Sequence, residues 1–344
     1  MPTDPVLLSL AIPTFNRALH LRECLESVRV SILESGEEGR CEVVVSDNAS
    51  TDETPMVVRA FEPIMKIRYV RQACNIGGHA NFRAVAGVAT GQYVWVVGDD
   101  DRILPAAVRQ VIDGLDQGAR TVVCNVAVYN RDFSRLVKPR FLRMFHDELY
   151  HDPNRVLARI GSHAGYISAM IIDRKAFLDL PLEDYQRYDK EGSCFMYAVF
   201  RVMKFAVPVL CIAEPLVLNR GGEGGDEIGA RVVPCPTTSH HWWNETFAAG
   251  FPDAISALRH SGYSSRSIRI AYAHLMFLYI LPRLMYLKTS RIPVQGLVRT
   301  AIRHMAESWT VWVLLVPLSW MPGWMLRGLK PCKRLLSRWV EKGD

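Results

Sequence analysis

The chain has 344 residues, 49% of them hydrophobic, and a formal net charge of +6 at pH 7. This length and composition allow a large buried core and exclude a mainly disordered chain. Residues 291–344 contain nine Lys or Arg against three Asp or Glu. They carry the whole net excess, so no nucleic-acid-binding surface is expected in the balanced residues 1–290.

The eight cysteines are scattered, and no two of them have CxxC spacing. This distribution is typical of reduced thiols in the cytosol and argues against a disulfide framework or a zinc site. The first residues, MPTDPVLLSLAIP, lack the basic segment, long apolar region and cleavage site of a secretory signal. A cytoplasmic protein is therefore predicted.

Apolar runs alternate with helical patterns through the first hundred residues. The predicted strands are residues 6–12, 42–46, 67–70 and 93–97, and helices are predicted over 19–28, 56–61 and 81–89. Asn16 is predicted to cap the first helix. Strands that alternate with helices indicate an α/β fold with a doubly wound, mostly parallel sheet.

The fourth predicted strand ends in three adjacent carboxylates, Asp99, Asp100 and Asp101. Ligand sites of open α/β sheets lie beyond the carboxyl ends of the strands. Adjacent carboxylates repel one another unless a cation or protons offset their charge, and hard divalent ions prefer oxygen ligands. A cation-held diphosphate is predicted here; the alternative is a solvated acidic turn before a helix that begins near Pro105.

Three further loops follow predicted strands. PTFNR, residues 13–17, opens a helix, where backbone N–H groups and the flat ring of Phe15 can receive a nucleotide. In SDNASTDET, residues 46–54, Asp47 ends a strand and can accept a hydrogen bond from a pyrimidine ring, whereas Asn48, Ser50 and Asp52 are predicted turn and cap residues. In NIGGHAN, residues 75–81, two glycines permit a tight turn or close approach to a ligand.

These motifs, in this order and spacing, resemble glycosyltransferase family 2, the inverting enzymes of the GT-A fold. The branch that includes the O-antigen abequosyltransferases is the most similar, and the resemblance extends through GYISAMIIDRKAF (residues 165–177) to EPLVLNRGG (residues 214–222). It implies metal-dependent transfer of a hexosyl or deoxyhexosyl group, with Mn²⁺ or Mg²⁺, from a nucleotide-diphosphate sugar to an acceptor.

The resemblance also implies roles for individual residues. The 13–17 loop would hold the base and ribose, Asp47 would contact the base, and residues 99–101 would bind the metal and the sugar diphosphate. Where the family usually has an Asp, this chain has Gly98. Asp100 and Asp101 then align with the later carboxylates, while Asp99 and Asp101 form a literal DxD, so both pairings stay open. The predicted nucleotide-sugar-binding residues are Pro13, Thr14, Phe15, Asn16, Arg17, Asp47, Asn48, Asn75, Gly77, Asn81, Asp99, Asp100 and Arg220, and the predicted metal ligands are Asp99, Asp100 and Asp101.

An inverting transfer needs a general base for the acceptor hydroxyl. The family places it ahead of a helix in the second half, and Glu191, just before a helix predicted to begin near Ser193, is the first choice. Asp189 is the second choice, and the Glu183/Asp184 pair is the third. The alternative is that these acids only favour the N-terminus of a helix.

The next two segments have less specific signals. Residues 219–227, NRGGEGGDE, are predicted to be a mobile loop that closes over the donor, with Arg220 facing the diphosphate. His240, His241, Trp242 and Trp243 form a cluster that is either an acceptor-sugar platform or aromatic packing at the start of a helix.

The carboxyl-terminal region is predicted to be helical and membrane-facing. Residues 309–326 are 18 residues without a charge, interrupted by prolines, which makes a poor spanning helix. Four tryptophans (Trp309, Trp312, Trp320 and Trp324) and the basic segment 327–342 suit peripheral contact with an anionic membrane at its cytoplasmic face. The alternative is a packed helical subdomain or an oligomer interface.

The sequence therefore predicts a GT-A domain over residues 1–238, with a nucleotide-sugar-binding half (1–105) and an acceptor half (106–238), followed by a helical region (239–344). The predicted acceptor is a glycan or lipid-linked glycan of bacterial cell-surface polysaccharide synthesis. The alternatives are direct transfer to polyprenyl phosphate and a non-catalytic scaffold. A dinucleotide oxidoreductase is disfavoured because no GxGxxG turn follows the first strand.

Overall fold

The computed structural model describes residues 5–142, 144–188, 193–221 and 245–322, together with residue 325. Strands in these residues form one mixed sheet in the order β3-β2-β1-β4-β9-β6-β10-β5, with β7 on β6 and β8 on β10. They are β1 (Leu8–Thr14), β2 (Cys41–Asp47), β3 (Ile67–Arg71), β4 (Tyr93–Val96), β5 (Arg102–Ile103), β6 (Thr121–Tyr129), β7 (Leu136–Lys138), β8 (Glu148–Tyr150), β9 (Met170–Asp173) and β10 (Val209–Arg220).

Six of these strands run in the same direction. β1 is parallel to β2 and β4, β2 to β3, and β6 to β10. β9 is antiparallel to both β4 and β6, so these two also point the same way. Every residue of β1, β2 and β4 is buried, as expected for strands covered by helices on both faces. The predicted α/β class with a mostly parallel sheet is confirmed, and six carboxyl ends meet at one edge.

Helices follow the first strands as the alternation predicts, with ends that differ from the predicted ones by a few residues. The helices up to residue 203 are α1 (Ala18–Ser35), α2 (Thr54–Phe61), α3 (Gly78–Val88), α4 (Ala107–Asp116), α5 (Pro153–Ile160), α6 (Arg174–Leu178), α7 (Leu182–Gln186) and α8 (Cys194–Met203).

The predicted cap of α1 is wrong. Asn16 has a left-handed backbone (φ 51°), and its Oδ1 accepts a hydrogen bond from the backbone N–H of Thr51 at 2.7 Å. The backbone N–H of Ala18 instead donates to Oδ2 of Asp52 at 3.0 Å. The acceptor at the start of α1 is therefore supplied by the loop after β2.

The described part of the carboxyl-terminal region is helical and packs on the sheet domain. Its helices are α9 (Phe251–Ala257), α10 (Ser265–Thr289), α11 (Gln295–Met305) and α12 (Val311–Trp320). Leu275, Leu284 and Met305 are fully buried in the same hydrophobic core as the strands. Among the described helices, α10 alone has the length and apolar composition to cross a membrane, and 56% of its most apolar window is buried inside the protein. A core helix meets the same criteria.

Candidate functional site

Polar side chains from several strands meet where the six parallel strands end. Thr14 ends β1 and lies opposite Asp47, the last residue of β2. Asp99 follows β4, and Arg220 ends β10 opposite Tyr129 of β6. The site residues therefore come from distant parts of the chain and share one edge of the sheet.

Asp99 is buried and faces the 13–17 loop. Its Oδ2 accepts a hydrogen bond from Oγ1 of Thr14 at 2.7 Å, and its Oδ1 accepts one from Nη1 of Arg17 at 2.9 Å. Burial raises the pKa of Asp99 from 3.8 to about 6, although Arg17 opposes the change. The carboxylate is thus held in a position that is unfavourable for its charge unless a cation is close.

Asp101 is buried on the opposite side of the same turn. Its Oδ2 accepts hydrogen bonds from the hydroxyls of Tyr166 at 2.9 Å and Ser168 at 2.6 Å, and its Oδ1 accepts one from Nδ2 of Asn219 at 2.7 Å. Burial, followed by repulsion from Asp100, raises the pKa of Asp101. Sequence reasoning did not identify these three donors, although all lie in the two stretches of the later resemblance.

Asp100 is the most accessible of the three carboxylates, with 29% of its side chain exposed, and its Oδ2 accepts from Nη1 of Arg17 at 3.1 Å. A Cβ added to Gly98 would lie 3.0 Å from Oδ2 of Asp101, 3.3 Å from Oδ1 of Asp100 and 3.4 Å from Oγ of Ser168. Oxygens of both carboxylates therefore line the space that a side chain at position 98 would fill.

This set of donors fits a divalent cation. No three His, Cys, Asp or Glu side chains converge as a self-sufficient metal site among the described residues. Magnesium-type sites, however, commonly use one or two carboxylates and complete the shell with substrate phosphates and water. Asp100 and Asp101 provide the hard oxygens that such a shared site needs.

The 13–17 loop is fixed to the loop after β2. The backbone N–H of Asn16 donates to Oγ of Ser50 at 2.9 Å, in addition to the reciprocal bond from Thr51 to Asn16. Phe15 remains 40% exposed, and Arg17 spans Asp99 and Asp100. The predicted binding loop thus presents a ring and a guanidinium beside the carboxylates, while the buried Pro13 stays in β1.

Asp47 is fully buried, and its oxygens bind groups of the protein. Oδ1 accepts from the backbone N–H of Ser50 at 2.8 Å, and Oδ2 accepts from the hydroxyl of Tyr69 at 2.7 Å, with Nε of Arg71 at 3.5 Å. In this structure Asp47 shapes the loop that holds Asn16. Its predicted contact with the base stays a prediction.

The predicted residues of the 75–81 stretch mainly organise backbone. Nδ2 of Asn48 donates to Oδ1 of Asn75 at 2.9 Å, and the backbone N–H of Gly77 donates to the same oxygen at 2.9 Å. Gly77 has φ 86°, which favours glycine. Asn81 is buried and exchanges hydrogen bonds with Ser46 at 2.6 and 2.9 Å, so it ties α3 to β2.

Arg220 is the last residue of β10. The loop predicted over residues 219–227 therefore does not begin at residue 219. Nε donates to the carbonyl of Asp100 at 3.2 Å, Nη1 donates to the carbonyl of Arg131 at 2.6 Å, and Nη2 pairs with Glu23. The side chain is only 9% exposed. Asn219 also belongs to β10, and residues 222–227 lie outside the described part of the chain.

The preferred general-base candidates, Glu191 and Asp189, lie outside the described residues, as do His240, His241, Trp242 and Trp243. The third choice is described: Glu183 is exposed and Asp184 half-buried in the first turn of α7. The helix predicted near Ser193 is α8, which begins at Cys194.

Comparison with known proteins identifies relatives of this chain. A family model for glycosyl transferase family 2 matches residues 9–180. Abequosyltransferase RfbV of Salmonella typhimurium is 29% identical over 238 residues, which cover 63% of this chain and 67% of that protein. A Campylobacter jejuni GalNAc(5)-diNAcBac-PP-undecaprenol beta-1,3-glucosyltransferase is 28% identical over 123 residues, covering 35% of this chain and 38% of its own length.

A solved structure shares the fold. Mannosyltransferase PcManGT from Pyrobaculum calidifontis, in complex with GDP-Man and Mn²⁺, superimposes with a TM-score of 0.53 and 17% identity. The superposition covers 99% of this chain and 86% of the other. The predicted GT-A-like architecture is therefore confirmed at the level of the fold.

Proposed function

The chain belongs to glycosyl transferase family 2, and on that premise we propose that it transfers a hexosyl or deoxyhexosyl group from a nucleotide-diphosphate sugar with inversion. Its relatives include an abequosyltransferase and a glucosyltransferase named for an undecaprenol-linked glycan. The observation that carries the proposal is the convergence of Arg17, Asp99, Asp100 and Asp101 at the sheet edge where such ligands bind.

In this proposal the two loops after β1 and β2 receive the nucleoside. Phe15 offers a flat exposed ring for the base, and Arg17 offers a guanidinium for the diphosphate, to which it can bind through two parallel N–H groups. Asp99, whose other oxygen accepts a hydrogen bond from Thr14, holds that guanidinium in place. Asn48, Asn75 and Gly77 then contribute by shaping the loop edge.

Asp100 and Asp101 are the residues proposed to hold the divalent cation, Mn²⁺ or Mg²⁺, together with diphosphate oxygens. The carboxylate oxygens above Gly98 and the raised pKa of buried Asp101 support this assignment. When bound, the ion offsets the charge that develops on the departing diphosphate. Tyr166, Ser168 and Asn219 keep Asp101 oriented.

The transfer forms a bond between the acceptor oxygen and the anomeric carbon. The bond from that carbon to the diphosphate oxygen breaks, and the nucleoside diphosphate leaves with the electron pair. The hydroxyl proton passes to a carboxylate, for which Glu191 is the proposed base and Asp189 the second choice.

We expect Glu191→Gln to leave donor affinity nearly unchanged and to lower kcat by about 10²-fold or more, because only proton transfer is removed. Binding calorimetry with the donor and initial transfer rates separate the two effects. Glu34→Gln, at an exposed carboxylate of α1 that is not a candidate base, is the matched control. Unchanged turnover in Glu191→Gln would pass the role to Asp189 or Asp184.

The proposed acceptor is a lipid-linked glycan at the cytoplasmic face of the membrane, with peripheral contact between the protein and anionic lipid. Its support is the undecaprenol-linked glycan in the name of one relative, the Campylobacter jejuni glucosyltransferase, and the exposure of Trp309, Trp312 and Trp320. These exposed indole rings suit the interface between headgroups and acyl chains.

The experiment that tests the function is a screen of nucleotide-sugars by thermal shift with Mn²⁺ or Mg²⁺, because a ligand of the folded state raises Tm. Each donor that raises Tm is then assayed for hydrolysis and for transfer to lipid-linked glycans. We expect one nucleotide class to stabilise the protein only with the cation. Stabilisation by no donor, together with no turnover, would leave a non-catalytic scaffold.

A further inference from the structure

Four side chains form a cluster on the outer side of the carboxylate turn. They are Glu23 of α1, Arg102 of β5, Phe133 in the hairpin between β6 and β7, and Arg220 of β10. Oε2 of Glu23 lies 2.9 Å from Nη2 of Arg102 and also pairs with Nη2 of Arg220. One carboxylate oxygen therefore holds two guanidinium groups together.

The ring of Phe133 contacts both guanidinium groups. Its centroid lies 4.2 Å from Cζ of Arg102 and 4.4 Å from Cζ of Arg220. Both distances are within the range of a cation–π interaction, in which the negative face of the ring attracts the cation. Two positive groups are thereby kept close to each other and close to the ring.

Phe133 makes these contacts from a strained backbone. Its φ is 60°, in the left-handed region that large side chains avoid and that glycine or asparagine occupies at little cost. The hairpin holds it there: the backbone N–H of Phe133 donates to the carbonyl of Asn130 at 3.1 Å, and Asn130 N–H donates to the carbonyl of Arg135 at 3.0 Å. A phenyl ring at this position indicates that the ring itself is used.

Arg220 connects this cluster to the candidate cation site. Its Nε donates to the carbonyl of Asp100, and its Nη1 donates to the carbonyl of Arg131 in the same hairpin. Any shift of the Arg220 guanidinium therefore moves the peptide of Asp100, whose carboxylate faces the space above Gly98. A displacement of about 1 Å in such a ligand is enough to impair a site.

We propose that Glu23 and Phe133 are positioning residues of the donor site: they fix Arg102 and Arg220, and through Arg220 they hold Asp100 in the orientation that binds the cation and the donor diphosphate. This inference rests on the proposed function. It assigns a role to two residues that contact neither the donor nor the cation.

The test uses substitutions that separate backbone strain from the ring. Phe133→Gly and Phe133→Asn relax the left-handed backbone, so the Tm of the protein without ligand should stay unchanged or rise. Both remove the ring, so the Kd for a nucleoside diphosphate with Mn²⁺ should rise at least about fivefold. The probes are UDP, GDP, CDP and TDP in binding calorimetry, and the one that binds the unaltered protein is used throughout.

Phe133→Tyr keeps an aromatic ring, so its Kd for the diphosphate should stay within about twofold of that of the unaltered protein. Glu23→Gln keeps a hydrogen-bond acceptor and removes the charge; it should raise the KM for the donor while the KM for the acceptor stays the same. Phe205→Ala removes a phenyl ring that is 79% exposed on the surface, and it should change none of these values.

Each outcome decides the proposal. Diphosphate binding that is unaltered in both Phe133→Gly and Phe133→Asn would overturn it while leaving the proposed function intact. A parallel fall in Tm and affinity in both variants would also overturn it, because the ring would then be structural. If the unaltered protein binds none of the four diphosphates with Mn²⁺, the proposed function fails and this inference fails with it.

Discussion

Gly98 stands where the family usually has an acid, and the structure supplies a steric reason. A Cβ added to Gly98 would lie 3.0 Å from an oxygen of Asp101 and 3.3 Å from an oxygen of Asp100. Asp100 and Asp101 can approach this closely because Gly98 has no side chain. Any side chain at position 98 would displace their carboxylates.

We expect Gly98→Ala to weaken cation-dependent donor binding by about tenfold, since overpacking costs roughly 1–3 kcal/mol. The concentration of Mn²⁺ required for half-maximal donor binding measures the effect. Gly87→Ala is the control: Gly87 is exposed in α3, and an added Cβ meets nothing within 4 Å. An unaltered requirement for Mn²⁺ in Gly98→Ala would contradict the assignment of Asp100 and Asp101.

Asp99 makes the stability of the cation-free protein depend on pH. Burial raises its pKa from 3.8 to about 6, so the folded protein holds this proton more tightly than the unfolded chain does. Its contribution is therefore most favourable below about pH 4 and declines as pH rises to about 6, by up to about 3 kcal/mol.

The expected result is that the unfolding free energy of the unaltered protein in EDTA falls relative to that of Asp99→Asn between pH 4 and pH 6.5. Urea denaturation across this range measures the difference. Asp116→Asn serves as control, because hydrogen bonding to Arg40 lowers the pKa of Asp116 and places its effect below this range. A flat difference for Asp99→Asn would refute the raised pKa.

At the level of whole elements, the starts of α1 and α2 share one carboxylate. Oδ2 of Asp52 accepts from the backbone N–H of Ala18 at 3.0 Å, and Oδ1 accepts from the backbone N–H of Thr54 at 3.0 Å. One side chain therefore satisfies a donor at each of two helix N-termini and links the loops that follow β1 and β2.

We expect Asp52→Ala to lower the unfolding free energy by about 1–2 kcal/mol, the usual cost of losing a cap. Asp52→Asn retains one acceptor oxygen, so its unfolding free energy should lie between those of Asp52→Ala and the unaltered protein. Chemical denaturation at pH 7 measures both variants. A stability of Asp52→Ala equal to that of the unaltered protein would show that neither helix depends on Asp52.

The elements that the sequence predicted best are those whose signal is local. β1, β2 and β4 are rich in apolar residues because both of their faces are buried. β5, with two residues, and β7 and β8, with three each, are too short to produce any periodicity. They form because β10 and β6 offer a partner, which no local pattern records.

In the candidate site too, the sequence predicts the features with a local signal and misses those that depend on distant partners. The carboxylates and the 13–17 loop stand out locally. The partners of Asp101 did not, because Ser168 and Asn219 are single polar residues inside apolar stretches that come close only when β9 and β10 join the sheet. Asn16 was predicted wrongly as a cap because the actual acceptor, Asp52, lies 34 residues after Ala18, the first residue of α1.

At the scale of the whole molecule, the described helices after residue 245 share the core of the sheet domain, while three tryptophan rings in α12 and just before it are exposed. Trp309, Trp312 and Trp320 are 48%, 50% and 83% exposed. Nζ of Lys288 donates to the carbonyls of Ser319 and Met321, which fixes the end of α12 on α10. The exposed rings are therefore presented by a packed element.

We expect the full chain to bind anionic vesicles, with salt weakening the attraction of about 1 kcal/mol per nearby Lys or Arg. Replacing Trp309, Trp312 and Trp320 together by Ala should abolish binding with little effect on folding, because these rings are exposed. Deleting residues 327–344 should remove the salt-sensitive part of the binding to anionic vesicles. Co-sedimentation at low and high salt, beside circular dichroism of each variant, measures both effects.

Zwitterionic vesicles are the control for the charge contribution. If the intact protein does not bind anionic vesicles at low salt, the proposed contact with the membrane is excluded. Aggregation of the truncated chain without any lipid dependence of the intact protein would instead favour a packed subdomain or an oligomer interface.

The wide sequence separation of the partners of Asp101 has a consequence for synthesis on the ribosome. Tyr166 and Ser168 follow Asp101 by 65 and 67 residues, and Asn219 follows it by 118. At about 5–20 residues per second, Asn219 is added roughly 6 to 24 s after Asp101. The strands β1 to β4 can pair during this interval, but β10 enters between β6 and β5 only afterwards. A nascent chain that ends before residue 209 should therefore contain the loops after β1 and β2 and yet lack one partner of Asp101, so the newly made protein completes its candidate site only with β10, the last of the described strands.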